Sequence, residues 1–407
     1  MRVLLLTQYF PPEIGATQNR MSEFAAALAA AGHDVEVLTE VPNHPSGIVA
    51  PAYRNKWVYR DEEQGYRVTR VWVLARPRKT FLTRVGFYAT FFFMAVLTCL
   101  AGRQRYDVVV ATTPPLTVAA AGLTLSRLKR MPFVVDVRDL WPEAAAALGE
   151  LSNPLLYRAA ARLERAVYRG ARAITATTEP FCRSIEAHDV AATVTHVPNG
   201  TRPDLFAAGA DARAAFRQRH GFGDRFVVAY IGLHGIAQGL DVVLDAAPAL
   251  PDVLFILVGE GPRKRALMAE SERRGCANVR FFDEVPGAKV AQVMAAADAL
   301  LVTLSAAPVF TTFVPSKLFD AMAAARPVVL MVDGEARRIL DRARAGVFVP
   351  PGDAAGLAAA VAALQNDPAG RDRMGAAGRA FVAANYDRRR QAARFAQIVA
   401  TAAEGPS

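Results

Sequence analysis

The sequence predicts an α/β protein with two Rossmann-like domains, each a doubly wound parallel sheet covered by helices. Three observations favour this fold class. The chain has 407 residues, whereas one hydrophobic core stops growing near roughly 250 to 300 residues. Short apolar runs alternate with helical periods, the pattern of parallel strands joined by helices, and this alternation occurs twice. A turn-rich segment, Pro198-Asn199-Gly200 followed by Pro203, separates the two series.

The first series predicts an N-terminal Rossmann-like domain over residues 1–197. An opening strand at 2–7 leads into a helix at 18–31 with a regular apolar face, and Gly32 ends that helix. Further strands are predicted at 34–38, 66–73, 108–111, 133–136, 173–176 and 194–197.

The second series predicts a Rossmann-like domain over residues 203–385. Its strands are predicted at 226–231, 253–258, 279–282, 299–303, 328–332 and 346–349. After Asp367-Pro368 the pattern is helical to the end of the chain. We expect the last segment, 386–407, to cross back and brace the first domain.

Composition excludes several classes of protein. A hydrophobic content of 52% with 21% charged residues is typical of a folded globular chain and not of a disordered one. The net charge of +10 arises largely from arginine. Arginine and alanine are both abundant, as is typical of the base composition of a genome, so the charge does not indicate a nucleic-acid surface and we predict no nucleic-acid partner. The three cysteines, Cys99, Cys182 and Cys276, fit neither a disulfide framework nor a zinc pattern. We therefore expect a reducing cytoplasm, no metal and no cofactor.

One segment has a different composition from the rest of the chain. Residues 85–102 form a run of 18 without a charge, flanked by Arg84 and by Arg103 and Arg105. Three interpretations are open: a membrane-spanning helix, a helix lying in or against the membrane face, and a buried core helix. We expect no secretory signal before it, since residues 1–7 run into polar and proline residues. We favour a peripheral protein on the inner face of the plasma membrane.

In doubly wound sheets, ligands bind outside the carboxyl ends of the strands, where loops lead into helices. Gly259-Glu260-Gly261-Pro262 lies at such a position and allows a nucleotide to approach the backbone. It fails as a dinucleotide fingerprint because the third glycine is replaced by Lys264, and a purely structural turn is the alternative. Gly15, in the first loop of the chain, has the same two interpretations.

A second candidate is the helix start at Ser316, Lys317 and Asp320. Ser316 has the residue type of an N-cap, and Lys317 then lies beside free backbone N–H groups. A cation there is electrostatically misplaced unless an anion binds, so a diphosphate with a ribose hydroxyl on Asp320 accounts for both residues. The alternative is a capping box that uses Asp320. His234, in the loop at 232–239, is placed to donate to a phosphate.

In the first domain, the loop Arg138-Asp139-Leu140-Trp141-Pro142-Glu143 follows a buried strand. Carboxylates accept sugar hydroxyls and a tryptophan covers an apolar ring face, so this loop suits a sugar. A structural ion pair of Arg138 with Glu143 is the alternative. His44, after the second strand, lies where a flexible acceptor loop is expected, and a structural role is equally open.

Five stretches in order along the chain resemble the retaining glycosyltransferases of family 4, which have the two-domain GT-B fold. The similarity is closest to the bacterial subgroup that makes surface polysaccharides, such as O-antigen transferases for N-acetylfucosamine-type sugars. The stretches are Gln8-Tyr9-Phe10-Pro11-Pro12-Glu13, Val137 to Glu143, Val197-Pro198-Asn199-Gly200, Tyr230-Ile231-Gly232 with Gly235 to Leu240, and Pro315-Ser316-Lys317 through Pro327-Val328.

This resemblance implies transfer of a sugar from a nucleotide diphosphate sugar, UDP-linked by expectation, in a cleft between the domains and without a metal. The implied acceptor is a saccharide linked to a lipid through polyprenyl diphosphate. The anomeric configuration is retained and the leaving phosphate takes the acceptor proton, so catalysis depends on charge stabilisation and positioning. The implied residues are catalytic Asp139, Arg138 and Glu143; donor-binding Gly15, His234, Gln238, Gly259, Gly261, Thr312, Ser316, Lys317 and Asp320; and acceptor-binding His44 and Trp141.

The sequence also departs from the family pattern. Of two acidic residues usually eight apart, the second matches Asp320 and the first falls on Thr312. The two cations that usually hold the diphosphate fall on Leu233 and Gln238, and the usual catalytic histidine falls near Arg138 or Asp139. Phosphate neutralisation is therefore expected from Lys317, His234, helix N-termini and Arg138. The alternatives are a catalytically weakened membrane-bound assembly or binding module, and a sugar-nucleotide epimerase on the same fold.

Overall fold

The chain forms two compact units. The computed structural model describes residues 1–404 except residues 45, 64, 78, 79, 148, 150 and 207–209. Unit 1 consists of Met1–Asn199 together with Arg388–Ser407, and unit 2 consists of Gly200–Asp387. The division between the units falls inside the predicted turn-rich segment. The second unit ends two residues beyond the predicted 385, and the last segment belongs to the first unit.

Each unit contains one sheet. Unit 1 has an eight-stranded sheet in the order β3-β4-β2-β1-β5-β6-β7-β8, and unit 2 has a six-stranded sheet in the order β11-β10-β9-β12-β13-β14. The strands are β1 (Arg2–Leu6), β2 (Asp34–Glu40), β3 (Val58–Glu63), β4 (Tyr66–Val71), β5 (Val108–Thr113), β6 (Phe133–Val137), β7 (Ala173–Ala176), β8 (Thr193–His196), β9 (Phe226–Ile231), β10 (Val253–Val258), β11 (Val279–Phe282), β12 (Ala299–Thr303), β13 (Val328–Met331) and β14 (Gly346–Phe348).

Helices connect most of these strands. They are α1 (Ala16–Ala30), α2 (Phe81–Ala101), α3 (Leu116–Lys129), α4 (Glu143–Ala147), α5 (Pro154–Gly170), α6 (Glu179–Glu186), α7 (Ala210–Arg219), α8 (Asp241–Ala246), α9 (Lys264–Arg273), α10 (Gly287–Ala296), α11 (Lys317–Ala323), α12 (Glu335–Ala343), α13 (Ala354–Asn366), α14 (Pro368–Asn385) and α15 (Arg388–Glu404). The predicted fold class, two doubly wound sheets covered by helices, is confirmed.

The edge strand β3 of the unit 1 sheet was not predicted. Every strand pair in the two sheets is parallel except β3 with β4, which is antiparallel. The sequence of β3, VYRDEE, is mostly polar because an edge strand is not covered on both faces. The central parallel strands are buried on both faces and read as continuous apolar runs, which makes them easier to predict.

The C-terminal helix packs on the first helix of unit 1. The rings of Phe24 in α1 and Phe395 in α15 are stacked with centroids 3.8 Å apart. Both side chains are fully buried in the same cluster as Val3 and Leu5 of β1. The expectation that the end of the chain returns to the first domain is therefore confirmed.

A buried ion pair fixes the last residues of unit 1 before the chain leaves it. Arg20 of α1 donates to Asp136 at the end of β6, with 2.7 Å between Nη2 and Oδ1. The same guanidinium donates to the carbonyl oxygens of Val197 and Pro198 at 2.8 and 3.1 Å. Both charges are almost completely buried, so each needs the other and these carbonyls as partners.

Each sheet has one topological switch point, where connections leave a central strand in opposite directions. In unit 1 it lies between β1 and β5, and in unit 2 it lies between β9 and β12. Ligands of doubly wound sheets bind in the crevice outside the carboxyl ends of the strands at this point. The loops after these four strands are therefore where the candidate site residues are sought.

Candidate functional site

In unit 2, the chain places Lys317 at the switch point. The Nζ atom of Lys317 donates to the hydroxyl of Tyr230 at 2.6 Å and lies 4.0 Å from the centroid of that ring. Tyr230 belongs to β9, so the lysine reaches back across the sheet from the start of α11 to the end of the central strand. Burial lowers the pKa of Lys317 to about 7. The cation predicted from sequence is therefore held in a poorly solvated position.

The loops beside Lys317 pack backbone against backbone. A Cβ atom added to Gly232 would lie 2.7 Å from the lysine Nζ, so the ammonium is directly beneath this residue. A Cβ on Gly259 would overlap the carbonyl oxygen of Gly232, and one on Gly261 would lie 2.5 Å from the carbonyl oxygen of His234. Gly259 and Gly261 also have φ values of +144° and +155°. Because a side chain at either position would collide with the facing backbone, glycine is required there for the two loops to pack closely. The structural interpretation of these glycines accounts for their geometry.

His234 does not supply positive charge, which corrects the expectation from sequence. Its side chain is completely buried, and neither ring nitrogen has a hydrogen-bond partner within the described part of the chain. Burial, followed by the charge of Lys264, lowers the pKa of His234 to about 4. The imidazole is thus neutral at pH 7 and has a single N–H to donate.

The other side chains predicted to bind a donor differ in their hydrogen-bond partners. Gln238 lies in the turn after β9, and its Oε1 atom has no partner among the described residues. The hydroxyl of Thr312 donates to the carbonyl of Val309 at 2.9 Å. Asp320 accepts a hydrogen bond from the hydroxyl of Thr201 at 2.7 Å.

The start of α11 differs from the expectation, and Gly15 has a structural role at the start of α1. Ser316 occupies the N-cap position of α11, but its side chain makes no capping hydrogen bond. The alternative of a capping box that uses Asp320 is therefore not realised. Gly15 is the N-cap of α1 in unit 1 and has extended backbone, with φ of 167°. It provides the helix start, and its own position requires no left-handed conformation.

In unit 1, Arg138 forms hydrogen bonds with residues at or after the ends of three neighbouring strands. Its Nε atom donates to the hydroxyl of Thr112 at 3.0 Å, and its two terminal nitrogens donate to the hydroxyl of Thr17 and to the carbonyl of Pro114. The hydroxyl of Thr177 donates to the carbonyl of Arg138 at 2.9 Å. Thr17 lies in the first turn of the helix after β1, Thr112 and Pro114 lie at the end of β5, Thr177 follows β7, and Arg138 follows β6. Because all of its nitrogens have partners, Arg138 positions the loops of this sheet edge.

Asp139 presents a carboxylate with free hydrogen-bonding capacity at this edge of the sheet. No residue in the described part of the chain donates a hydrogen bond to its carboxylate, which is half-buried. Burial raises the pKa of Asp139, and the neighbouring positive charge of Arg138 opposes that rise. A poorly solvated carboxylate with free lone pairs is suited to accept a hydroxyl of a bound sugar.

Glu143 was the partner of Arg138 in the structural alternative, but that ion pair is not among those formed by the described residues. Glu143 is exposed at the first position of α4. Its charge acts instead on Glu164 of α5, whose pKa is raised to about 7 by burial first and by Glu143 in addition. Trp141, between Asp139 and Glu143, is half-buried. Its role toward a sugar stays a prediction.

His44 belongs to a pocket on unit 1. The carboxylate of Glu13 accepts the backbone N–H groups of Asn43 and His44, both at 2.7 Å, and fixes this loop. The exposed imidazole meets the Tyr9 ring edge-on, with centroids 5.3 Å apart. The pocket has a volume of about 230 Å³ and is lined by Tyr9, Asn43, His44, Gly47, Leu74, Arg76, Thr83, Arg84, Phe87 and Tyr88.

Most of this lining escaped the sequence analysis. Tyr9 was part of a recognised stretch, but no role was given to it. The loop carrying Arg76 follows β4 and was not among the strand ends considered, and Tyr88 lies inside the uncharged run. The sequence signal that remains is the run of uncharged residues that begins one residue after Arg84.

The helix α2 that contains this run is half-exposed. Phe91, Ala95 and Cys99 face inwards and are buried, whereas Phe93 and Leu97 are each 59% exposed on the other side. The helix is long and apolar enough to cross a membrane by length and composition, but it also packs on α3 and β4. The alternative of a fully buried core helix is therefore wrong.

Two doubly wound parallel sheets in one chain are the architecture of the GT-B fold. Residues 15–200 match the family described as glycosyl transferase 4-like domain, and residues 225–367 match glycosyl transferases group 1. The chain belongs to the glycosyltransferases built from these two domains, which use nucleotide sugars.

The relatives similar in sequence include named glycosyltransferases. The chain is 27% identical to a GDP-mannose-dependent alpha-(1-6)-phosphatidylinositol monomannoside mannosyltransferase of Mycolicibacterium smegmatis, over 98% of each chain. It is also 27% identical to the putative colanic acid biosynthesis glycosyl transferase WcaI of Escherichia coli, over 69% of this chain and 71% of the relative.

Solved structures share the fold. Sucrose-phosphate synthase from Thermosynechococcus elongatus is 20% identical with a TM-score of 0.79, over 98% of each chain. HepE of Anabaena in complex with UDP-glucose is 20% identical with a TM-score of 0.75 over the full length of both chains. WaaG, a glycosyltransferase involved in lipopolysaccharide biosynthesis, is 21% identical with a TM-score of 0.71, over 98% of this chain and 99% of WaaG.

Proposed function

We propose that this protein is a retaining glycosyltransferase that transfers a sugar from a UDP-sugar to a lipid-linked saccharide during surface polysaccharide synthesis. The transferred sugar is an N-acetylated deoxyhexosamine or a hexose. The observation that carries the proposal is the enclosed ammonium of Lys317 at the switch point of the group 1 domain. Burial disfavours a charge on this side chain, and a bound diphosphate provides the negative partner that it lacks.

The proposed chemistry needs no protein nucleophile. The glycosidic bond to the leaving diphosphate breaks on the same face on which the acceptor hydroxyl attacks, and the leaving phosphate takes the acceptor proton. Lys317 stabilises the charge that develops on the diphosphate, which is worth most in a poorly solvated site. In unit 1, the Asp139 carboxylate accepts a hydroxyl and orients it, while Arg138 holds the surrounding loops.

Two observations support a lipid-linked acceptor. Two of the relatives are named for a phosphatidylinositol monomannoside and for colanic acid biosynthesis. The exposed apolar side chains of α2 provide a surface by which the protein associates with the inner face of the cytoplasmic membrane.

A donor screen followed by a transfer assay tests the proposal. Among UDP, GDP and their sugars, the UDP compounds are expected to raise the melting temperature most. With the stabilising UDP-sugar and a polyprenyl diphosphate saccharide, the lipid product is expected to gain the mass of one sugar in the donor's anomeric configuration. Preference for GDP-mannose would overturn the donor assignment, and an inverted product would overturn the mechanism. Isomerised donor without transfer would indicate the epimerase, and donor binding without turnover would indicate the binding module.

The membrane role of α2 gives a separate prediction. Replacing both Phe93 and Leu97 by serine is expected to weaken binding to phosphatidylglycerol vesicles about fivefold, because apolar area that would enter the interface is lost. Co-sedimentation measures the affinity, and Met268→Ser, an exposed apolar residue of unit 2, is the matched control. Equal binding by the double variant and the wild type would contradict a membrane role for this face.

A further inference from the structure

The pocket that contains His44 has walls fixed by specific contacts. Gly47 has φ of +71°, and a Cβ atom there would overlap the carbonyl oxygen of Arg76, so the loop after β2 presses on the segment after β4. Helix α2 packs on that segment as well. The hydroxyl of Thr90 accepts the N–H of Leu74 at 3.0 Å, and a Cβ on Gly86 would lie 2.9 Å from the Leu74 side chain. The pocket is therefore a feature of the packed unit.

The chemistry of the lining is that of a site for a phosphorylated sugar. Tyr9, His44 and Tyr88 present aromatic faces and polar tips, which suit the apolar ring faces and hydroxyls of a saccharide. Arg76 and Arg84 are exposed at the pocket, and guanidinium groups bind phosphate oxygens through two parallel hydrogen bonds. No carboxylate side chain is among the described lining residues, and the nearby carboxylate of Glu13 is held by the backbone N–H groups of Asn43 and His44.

The pocket lies at the beginning of α2, the helix that carries exposed apolar side chains. Thr83, Arg84, Phe87 and Tyr88 come from the first two turns of α2, so the pocket opens at the beginning of this helix. The exposed Phe93 and Leu97 side chains continue along the same helix. The part of α2 that lines the pocket contributes one cation, Arg84, and the rings of Phe87 and Tyr88, whereas the exposed apolar side chains lie on another face of the helix. A phosphorylated saccharide held close to a membrane surface matches this arrangement.

We infer that this pocket binds the phosphate-bearing saccharide head of the lipid-linked acceptor, with Arg76 and Arg84 on its phosphate groups. The inference rests on the proposed function and extends it by assigning the residues that select a phosphorylated acceptor. Tyr9 and His44 contact the saccharide from the side opposite to α2. The two arginines act on recognition of the acceptor and not on the bond-making step.

Neutral phosphatidylcholine vesicles that carry a polyprenyl diphosphate saccharide provide a direct binding test. Arg76→Gln and Arg84→Gln are each expected to lower the affinity about fivefold, and the double variant more. Arg103→Gln and Arg105→Gln are the matched controls, because they remove the same charge at the far end of the same helix and do not line the pocket. They are expected to bind like the wild type. A loss of affinity in these controls equal to that in the pocket variants would overturn the assignment.

The source of the phosphate is resolved by two further arms. On vesicles of phosphatidylglycerol without the acceptor, the pocket variants and the controls are expected to lose the same small affinity. A larger loss in the pocket variants would mean that ordinary lipid headgroups occupy the pocket. Inorganic diphosphate is expected to compete only at high concentration, and full competition at low concentration would show that a free anion is the ligand. Either result overturns the acceptor assignment.

Turnover separates this inference from the proposed function. The pocket variants are expected to raise KM for the diphosphate-linked acceptor about fivefold, with kcat and the KM for the donor unchanged. With the same saccharide lacking phosphate, variants and wild type are expected to have equal kcat/KM. A wild type that transfers no sugar would refute the proposed function, while the vesicle affinities still decide the pocket. Transfer with unchanged acceptor KM in the variants would refute the pocket alone.

Discussion

Replacing Lys317 by methionine is expected to lower kcat/KM for the donor at least thirtyfold, which corresponds to about 2 kcal/mol of transition-state stabilisation. The ammonium is enclosed beneath Gly232 and beside Tyr230, and the two cations that usually neutralise the diphosphate are replaced by Leu233 and Gln238. Steady-state kinetics with the preferred donor measure the effect. Lys289→Met removes an exposed lysine of the same unit and is the control. Unchanged kinetics for the Lys317 variant would reject its role.

The stability of this variant separates a functional cation from a structural one. Since burial lowers the pKa of Lys317 in the folded protein to about 7, the fold disfavours the charged form. That unfavourable contribution is fully present below pH 7 and declines as the pH rises toward the pKa of an unfolded lysine. The methionine variant is therefore expected to melt at the same or a higher temperature than the wild type, with the larger gain in acid. A lower melting temperature would mean that Lys317 mainly supports the fold.

The affinity for the donor should depend on pH through the same group. Protonated Lys317 binds the diphosphate, and the bound anion raises the pKa of the lysine above its value of about 7 in the free protein. The dissociation constant is then expected to rise from pH 7 upward, by up to about tenfold per pH unit. Titration calorimetry between pH 6 and 9 measures it. The methionine variant should show weak binding without this rise, and a flat profile for the wild type would contradict the assignment.

Asp139→Asn is expected to lower turnover at least about tenfold while the fold is retained. The substitution keeps the shape of a half-buried side chain but removes its charge and half of its acceptor capacity. No residue in the described part of unit 1 donates to this carboxylate, so loss of the charge should not break a structural hydrogen bond. Glu186→Gln, at an exposed position of α6, is the matched control.

The pH profile provides a second readout for Asp139. Burial raises its pKa above the ordinary value for an aspartate, and the carboxylate form is the one that accepts a hydroxyl. Activity of the wild type should therefore fall as the pH drops through this raised pKa, and the asparagine variant should lack that limb. If the variant instead loses melting temperature and keeps its specific activity, Asp139 is a structural residue. The catalytic role is then to be sought at Glu143 or His44.

The amino-acid sequence by itself determined the two-sheet architecture and the boundary between the two units. The central strands were predictable because a parallel strand covered on both faces is a continuous apolar run, as in Val253–Val258. The proline and glycine residues at 198–203 indicated where the units divide. The apolar face of the last helix required a partner, which α1 provides through Phe24 and Phe395. Lys317 was also predictable, because its charge and its position at a predicted helix start are properties of the local sequence.

Only the tertiary structure decided the state and the partners of these groups. Lys317 lies 87 residues from Tyr230 in the chain, and no local pattern indicates that contact. His234 was expected to help neutralise a phosphate and is instead neutral, because burial rather than residue type sets its pKa. For Arg138, an ion pair with Glu143 on its own loop was the structural alternative, but its partners lie at or after the ends of three other strands. Periodicity reports burial along one element, whereas desolvation and hydrogen-bond partners depend on which elements the topology brings together.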